Sequence, residues 1–347
     1  MDKSVSESFD IGKAILLAGV IMIHCNPSKF DGTPENVKLL FTHINYYLNF
    51  CVPFFFILSG YLFFANLSHL NLDIYKQKMS SRFHTLLIPY LLWCTIAGIF
   101  ICLKVKFLGH PGNGIFIDNR FSIIGFIRGF WNAGDNFPFD FPLWFLRNLI
   151  IFQLLTPIIY MLSRIKWLSA IILLLPLFDI DLYGFEYFFF GSYIGIYKHN
   201  LKMIRKHIFF ISTCFLVLIF LCTHIELYIF PLLVYSGFYI FIPFCIKFRK
   251  IFPTLSNDIL NHKNAFFFIY AIHGLYAFTI NKTYFYLFGT GTIISSLTCF
   301  FLSFISNILI SYCIFLIMKR CCNKLLNILC GMRASAGGEG AVSAQNG

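Results

Sequence analysis

The stretch "PFFFILSGYL" (residues 53–62) lies in a predominantly apolar run that extends from 44 to 65. A run of this length is sufficient for a helix to cross the hydrocarbon core of a bilayer. Within it, Ser59 and Gly60 place a hydroxyl group beside a residue that has no side chain. The stretch therefore predicts a membrane helix, and its Ser-Gly step indicates close approach to a ligand or to another helix.

The composition of the whole chain is also that of a membrane protein. Of the 347 residues, 58% are hydrophobic and only 12% are charged, and the mean hydropathy is +0.76. Soluble domains carry roughly 25% charged residues, and a soluble fold could not bury this much apolar surface. Because helices satisfy their own backbone hydrogen bonds in lipid, the composition predicts an all-α integral membrane protein.

Several segments are apolar enough to be predicted as membrane-spanning helices. With the N-terminus inside, most of the 27 lysines and arginines fall in the inner segments, as the positive-inside rule requires. The sequence thus predicts a bundle of about ten transmembrane helices with both termini cytoplasmic. The fifth and sixth segments are short, and a re-entrant pair is the alternative there. The segments are 11–25, 44–65, 86–108, 143–163, 167–182, 184–197, 208–225, 227–248, 265–282 and 292–318.

The domain organisation is predicted to be simple. We expect one transmembrane domain over 1–332 and a disordered, small and polar tail over 333–347. The net charge of +12 is attributed to the inner loops rather than to nucleic-acid binding, and the cysteines lack the CxxC spacing of a metal site. The long outer loop, 109–142, is either functional or a membrane-surface segment with Trp131 and Trp144 as interfacial anchors.

Two ionisable side chains in the first apolar segment are candidate functional residues, because charges are costly in lipid. Lys13 and His24 are eleven residues apart, which corresponds to three helical turns and about 16 Å along the axis. They therefore share one face of the predicted helix. The alternatives are a lysine that snorkels to the inner surface and a histidine that only makes an interfacial hydrogen bond.

Other polar side chains occur in or beside later segments. His273 lies near the middle of the ninth, in "FFFIYAIHGLYAF", where an interhelical hydrogen bond is the alternative to a catalytic role. Arg147 and Glu186, at the ends of the fourth and sixth segments, are either structural or contact a polar substrate. Lys78 and Arg82 precede the third segment, and either satisfy topology or bind an anionic cofactor such as the phosphates of coenzyme A.

Taken in order, several stretches resemble the acyltransferase 3 family of integral-membrane acyltransferases. They are "FDIGKAILLAGVIMIH" (9–24), "VPFFFILSGYLF" (52–63), "RFHTLLIPYLLW" (82–93), "PLWFL" (142–146), "FFFGSYIGIY" (188–197) and "FFIYAIHG" (267–274). The family's basic residue, usually arginine, and its histidine eleven positions later correspond to Lys13 and His24. Its basic inner-loop motif is half matched by Arg82, with Thr85 at the second position and Lys78 as a substitute. Its Phe-Phe-x-x-Ser-Gly motif corresponds to Phe55, Phe56, Ser59 and Gly60.

The resemblance implies transfer of an acyl group, commonly acetyl from acetyl-CoA on the cytoplasmic side of the bacterial cell membrane. The implied acceptor is a hydroxyl of a cell-surface glycan or of its lipid-linked precursor, and no metal is implied. His24 would act as the general base, with His273 as the alternate base or orienting group. The donor site would contain Lys13, Ser59, Gly60, Lys78 and Arg82, and the acceptor site would contain Trp144, Arg147 and Glu186.

Two alternatives stay open on the sequence. Ser59 would be a nucleophile if an acyl-enzyme formed, although no adjacent base is visible. A transporter or exporter of a glycan or small polar substrate would also have many spans with intramembrane polar residues, although the sequence contains no visible repeat.

Overall fold

The structure, a computed structural model, describes residues 3–30, 33–108, 116–117, 120–134, 136–178, 182–197, 230–289 and 291–332, and positions 212, 215, 217 and 218. Apart from those four positions, the predicted span 208–225 lies outside the described residues. The predicted disordered tail, 333–347, lies outside them as well.

The described part of the chain is folded almost entirely into helices, which confirms the all-α prediction. A single short antiparallel hairpin in this part pairs β1 (Phe116–Ile117) with β2 (Arg120–Phe121). The helices are α1 (Lys3–His24), α2 (Glu35–Leu48), α3 (Cys51–Phe64), α4 (Leu72–Arg82), α5 (Ile88–Leu108), α6 (Ile123–Gly129), α7 (Trp144–Leu154), α8 (Thr156–Ser163), α9 (Lys166–Leu174), α10 (Phe185–Ile196), α11 (Phe230–Ile251), α12 (Pro253–Asn261), α13 (Phe266–Ile272), α14 (Ala277–Phe288), α15 (Ile293–Cys321) and α16 (Asn323–Leu329).

Four helical stretches of the described part are long and apolar enough to cross a membrane. They are Glu35–Phe64, Leu72–Phe107, Phe230–Ile251 and Ile293–Cys321, and the bent pair α7 and α8 would make a fifth. Other predicted spans are shorter or broken: α10 has 12 residues, about 18 Å of helix, and a 3-10 turn at His273–Leu275 separates α13 from α14. The count of ten spans and the orientation of the termini therefore stay predictions.

The last long helix, α15, has the polarity expected of a helix in lipid. Its buried face carries small and polar side chains at helical spacing, whereas large apolar side chains such as Ile294 and Leu309 are exposed. This is the reverse of a soluble helix, because lipid solvates apolar side chains while polar groups seek partners inside the bundle.

The first helix, α1, lies at the centre of the bundle. It contacts α3, α11, α12, α13 and α15. Apolar side chains on several sides of α1, among them Phe9, Ile11, Leu17 and Ile21, are buried against these neighbours. Because α1 is surrounded, a polar residue on its remaining face points into an internal space rather than into lipid.

The Ser-Gly step of "PFFFILSGYL" lies where α3 packs against α10. A Cβ atom on Gly60 would overlap the carbonyl oxygen of Phe188, and one on Gly191 would overlap the carbonyl oxygen of Ile57. The two backbones therefore touch directly, which requires glycine on both helices. The stretches 52–63 and 188–197, far apart in sequence, are two halves of one helix contact, and α10 rather than a ligand fills the open side of Gly60.

Candidate active site

A cavity of about 660 Å³ runs beside α1. It lies within the range of about 300–1,000 Å³ that is usual for small-molecule sites. Lys13 lies at one end of the cavity and His24 at the other, with Leu17 and Val20 of the same helix face between them. The structure thus confirms that the lysine and the histidine share one face, and both side chains line the same internal space.

The end of the cavity near Lys13 is positively charged overall. Lys13 Nζ donates to Asp10 Oδ1 at 2.8 Å, and Lys263 Nζ donates to Asp10 Oδ2 at 3.1 Å. One carboxylate therefore holds two lysines at the mouth of the cavity, which leaves one uncompensated positive charge. Asn264 lines the same end. We call Asp10, Lys13 and Lys263 the basic end.

The middle of the cavity is apolar. Val52, Phe55 and Leu86 line it from α3 and from the turn before α5, and Phe267 lines it from α13. Ser59 also faces this middle section and adds a hydroxyl group to the wall. Ser59 and Gly60 thus face in different directions: the hydroxyl side faces the cavity and the glycine side faces α10.

The other end of the cavity brings two histidines together. The ring centroids of His24 and His273 are 5.2 Å apart, and the Phe141 ring meets His24 edge-on at 5.1 Å. His24 lines the cavity together with Trp144 and Tyr270. His273 lies behind His24, in the 3-10 turn that follows α13. We call this the histidine end.

The hydrogen bond of His273 defines its tautomer. His273 is fully buried, and its Nδ1 lies 2.5 Å from the carbonyl oxygen of Tyr270. A carbonyl oxygen only accepts, so Nδ1 carries a proton, and in the neutral form of the ring the lone pair is on Nε2. Nε2 has no hydrogen-bond partner among the described residues. A second nitrogen base therefore stands next to His24.

The segment before α7 packs onto the His273 turn through a glycine contact. A Cβ atom on Gly274 would lie 2.6 Å from Pro142 Cγ and 2.9 Å from Asp140 Oδ1, so only glycine admits this approach. The Tyr270 hydroxyl also donates to the Pro142 carbonyl oxygen. The stretches "PLWFL" and "FFIYAIHG" are therefore in contact, and each positions the other at the histidine end.

Asp140 lies at the site although no sequence pattern singles it out. Its side chain is buried, and neither carboxyl oxygen has a hydrogen-bond partner among the described residues. Burial raises the pKa of the Asp140 carboxyl well above its usual range, which favours the protonated form, a hydrogen-bond donor. The available signal was a lone carboxyl in the aromatic run "FPFDFPLWF".

Of the three residues of the basic end, the sequence predicted only Lys13 for the site, and not Asp10 or Lys263. Asp10 stands three residues before Lys13, a spacing at which side chains on a helix meet. Lys263 comes from the other end of the chain, and its contact with Asp10 depends on the packing of α1 against α12 and the turn that follows it.

Several residues predicted for the site do not line the cavity. Lys78 Nζ donates to the Phe63 carbonyl oxygen at 2.8 Å, where it satisfies a carbonyl group in the last turn of α3. Arg82 is in the same helix, α4, and Glu186 is buried in the first turn of α10. These three side chains and Gly60 do not line the cavity, and their roles in binding acyl-CoA or the acceptor stay predictions.

Arg147 holds the outer loop in place. Its guanidinium donates to the carbonyl oxygens of Trp131 at 2.5 Å and Asn136 at 3.0 Å, and its carbon atom Cζ lies 4.9 Å from the centre of the Trp131 ring. Through this loop Phe137 and Phe141 reach the cavity. Arg147 therefore supports the site from outside, whereas Trp144 lines it.

We expect Arg147→Lys to loosen the loop. Lysine keeps the charge but lacks the planar guanidinium, which lies against the Trp131 ring and donates through Nη1 to both carbonyl groups and through Nε to Asn148 Oδ1. Each charged hydrogen bond contributes about 1.5–3 kcal/mol. Amide hydrogen exchange of residues 131–134 should become at least tenfold faster, while exchange in α15 stays unchanged. Unaltered protection of the loop in the variant would contradict this role.

No group of three or more histidine, cysteine, aspartate or glutamate side chains within the described ranges could hold a metal ion.

Comparisons with known proteins give the chain its family. Residues 6–316 match the family model Acyl_transf_3, described as an acyltransferase domain. The chain is also 26% identical over 222 residues to the succinoglycan biosynthesis protein ExoH of Rhizobium meliloti (strain 1021). That match covers 59% of this chain and 58% of the relative. No solved structure matches the chain.

The family match extends across both ends of the cavity, since it includes Lys13, His24, Lys263 and His273. It also includes both stretches of the glycine contact between α3 and α10. The chain therefore belongs to the acyltransferase 3 family of membrane acyltransferases.

Proposed function

We propose that this membrane acyltransferase moves an acyl group from acyl-CoA to a hydroxyl of a cell-surface glycan or of a lipid-linked glycan precursor, across the bacterial cell membrane. Acetyl is the first choice of acyl group, and succinyl is the second. The observation that carries the proposal is one cavity with two lysines at one end and His24, backed by His273, at the other. The relative named for succinoglycan biosynthesis supports a polysaccharide as the acceptor class.

The basic end, the apolar middle and the histidine end of the cavity would bind successive parts of an acyl-CoA molecule. The phosphates would bind at the basic end, where Lys13 and Lys263 supply donors. The long, weakly polar arm would lie along the apolar middle beside Ser59. The thioester would then reach the histidine end. With the basic end facing the cytoplasm, as the predicted topology has it, the histidine end faces the acceptor side.

The chemistry needs a base and no covalent enzyme intermediate. His24 accepts the proton of the acceptor hydroxyl as its oxygen attacks the thioester carbonyl carbon. The tetrahedral intermediate then collapses, the carbon–sulfur bond breaks, and the imidazolium returns the proton to the departing thiolate. The products are an ester and coenzyme A. His273, whose ring centre lies 5.2 Å from that of His24, stands behind it and orients it or shares its charge.

Membrane vesicles test the proposal directly. Vesicles that contain the protein would receive labelled acetyl-CoA or succinyl-CoA, and the polysaccharide and lipid-linked fractions would be isolated. Label that mild base releases from the glycan shows an ester bond. Glycan movement across the membrane with neither label incorporated would favour a transporter or exporter instead.

Charge at the basic end should govern donor affinity. We expect Lys13→Met and Lys263→Met each to raise the KM for acyl-CoA about 10- to 100-fold, with a smaller change in kcat, because charged hydrogen bonds contribute about 1.5–3 kcal/mol. Lys38→Met is the matched control, since Lys38 pairs with Glu35 three residues away but does not line the cavity. If kcat at saturating acyl-CoA instead fell by as large a factor as KM rose, these lysines would not act mainly by binding acyl-CoA.

A further inference from the structure

A second, smaller cavity lies on the other side of His24. Its volume is about 200 Å³, and Ile23, His24 and Phe141 line both cavities. His24 is therefore a shared wall between two internal spaces. A group-transfer reaction brings two substrates to one base, and the larger cavity is accounted for by the donor in the proposed function.

The smaller cavity has the side chains of a site for a neutral, hydroxylated ring. Phe30, Phe141 and Phe278 supply apolar surface, and Asn26 and Asn281 supply amide groups. Apart from the titratable His24, none of the described residues that line it is charged. Flat apolar walls fit the C–H faces of a sugar ring, and amides fit its hydroxyl groups.

Asn281 is the polar group that points to a ligand. It is only 2% exposed, and its Nδ2 donates to the His24 carbonyl oxygen at 3.1 Å. That bond fixes the orientation of the amide. Its Oδ1 is buried and has no partner among the described residues. A buried acceptor is costly when it is left unpaired, and a ligand hydroxyl would satisfy it.

Asn26 supplies the complementary group. Its Oδ1 accepts from the Ser28 backbone N–H at 2.8 Å, so its Nδ2 is the end of the amide that remains for a ligand. One amide thus offers an acceptor and the other offers donors, which suits a pair of neighbouring sugar hydroxyls. The volume is below the usual range of about 300–1,000 Å³, so the site would take one sugar residue rather than an oligosaccharide.

We infer that this smaller cavity is the acceptor subsite, which binds one neutral sugar residue and holds a hydroxyl of that residue against His24. The inference rests on the proposed function for the identity of the neighbouring donor cavity. The binding of the sugar itself does not depend on turnover.

The test measures binding by thermal stabilisation of the purified protein in detergent, because a ligand that binds only the folded state raises Tm. The probes are methyl β-glucoside, methyl β-galactoside, cyclohexanol as an apolar ring control, and acetyl-CoA. We expect at least one glycoside to raise Tm and cyclohexanol to leave it unchanged.

Two variants locate the bound glycoside. Ala277→Leu fills the cavity from a buried lining position, and Phe278→Ala removes a wall from a side chain that is 60% exposed, which spares the fold. Both should weaken glycoside binding at least tenfold while the stabilisation by acetyl-CoA is retained. Phe288→Ala is the control, because Phe288 is an exposed phenylalanine of the same helix that does not line the cavity.

The outcomes separate this inference from the proposed function. A glycoside effect that survives in Phe278→Ala, or no glycoside effect in the wild type, overturns the acceptor subsite even if acyl transfer is observed. Glycoside binding that both variants weaken, in a protein that transfers no acyl group, supports the subsite and contradicts the proposed function.

Discussion

His24→Ala should reduce acyl transfer from acyl-CoA to glycan by about 10²- to 10⁴-fold, the contribution usual for a general base. His24 is the imidazole that lines both cavities, and His273 stands 5.2 Å behind it. The basic end lies about 16 Å away along α1, so the affinity for acyl-CoA should change less than twofold. Initial rates in membrane vesicles and acetyl-CoA binding to the purified variant measure the two quantities separately.

A second histidine provides the control for this experiment. His43 is exposed on α2, and its Nδ1 is bonded to the Leu39 carbonyl oxygen, so His43→Ala should keep the wild-type rate. His24→Asn tests shape, because it retains a polar side chain of similar reach without the basic nitrogen. If His24→Asn transfers acyl groups at a tenth of the wild-type rate or more, the proton is taken by another group, and His273 is the nearest candidate.

Local spacing predicted the parts of the site that lie on one helix. The eleven-residue separation of Lys13 and His24 was sufficient to place both on one face, because α-helix geometry is regular. The partners of these residues come from distant parts of the chain. Lys263 and His273 meet α1 only through helix packing, and no periodicity in a single sequence encodes such a contact.

The number of membrane spans is harder to predict from the sequence than the residues that share one helix face. Apolar length predicts a span only when the helix is continuous. Here the chain bends between α7 and α8 and changes to a 3-10 turn at His273, next to the histidine end. The break at His273 serves the site, because it brings Gly274 to the wall of the smaller cavity. The bend between α7 and α8 lies at residues that line neither cavity. Sequence patterns are thus least informative where the backbone is adapted to function.

The family resemblance predicted the function in more detail than the residue patterns did. The family match confirms the resemblance, yet transferring the family's motif residues one by one would place Gly60, Lys78 and Arg82 at the donor. In the structure, Gly60 contacts α10 and Lys78 caps α3. A family motif residue can therefore lie in a helix contact, and the donor roles of Gly60, Lys78 and Arg82 stay predictions.

The second large effect is expected on stability, when the glycine contact between α3 and α10 is disrupted. We expect Gly60→Leu and Gly191→Leu each to destabilise the protein by about 3 kcal/mol or more, at the upper end for overpacking. The added side chains would meet the backbone of Phe188 and of Ile57, and a backbone cannot move aside as a side chain can. Against a total stability of about 5–15 kcal/mol, either change should lower Tm strongly in detergent and reduce the yield of monodisperse protein.

The same variants decide what the Ser-Gly step of "PFFFILSGYL" does. Gly291→Leu is the matched control, because a Cβ atom on Gly291 meets no atom of the described residues within 4 Å, and this variant should melt like the wild type. If Gly60 instead bordered bound acyl-CoA, Gly60→Leu would keep its Tm and show a raised KM for acyl-CoA. Ser59→Ala separates the two faces of the step: the hydroxyl faces the cavity, so its loss should raise that KM a few-fold, by about the 1 kcal/mol of one neutral hydrogen bond, and leave Tm unchanged. A folded Gly60→Leu protein with normal transfer would contradict both roles for the glycine.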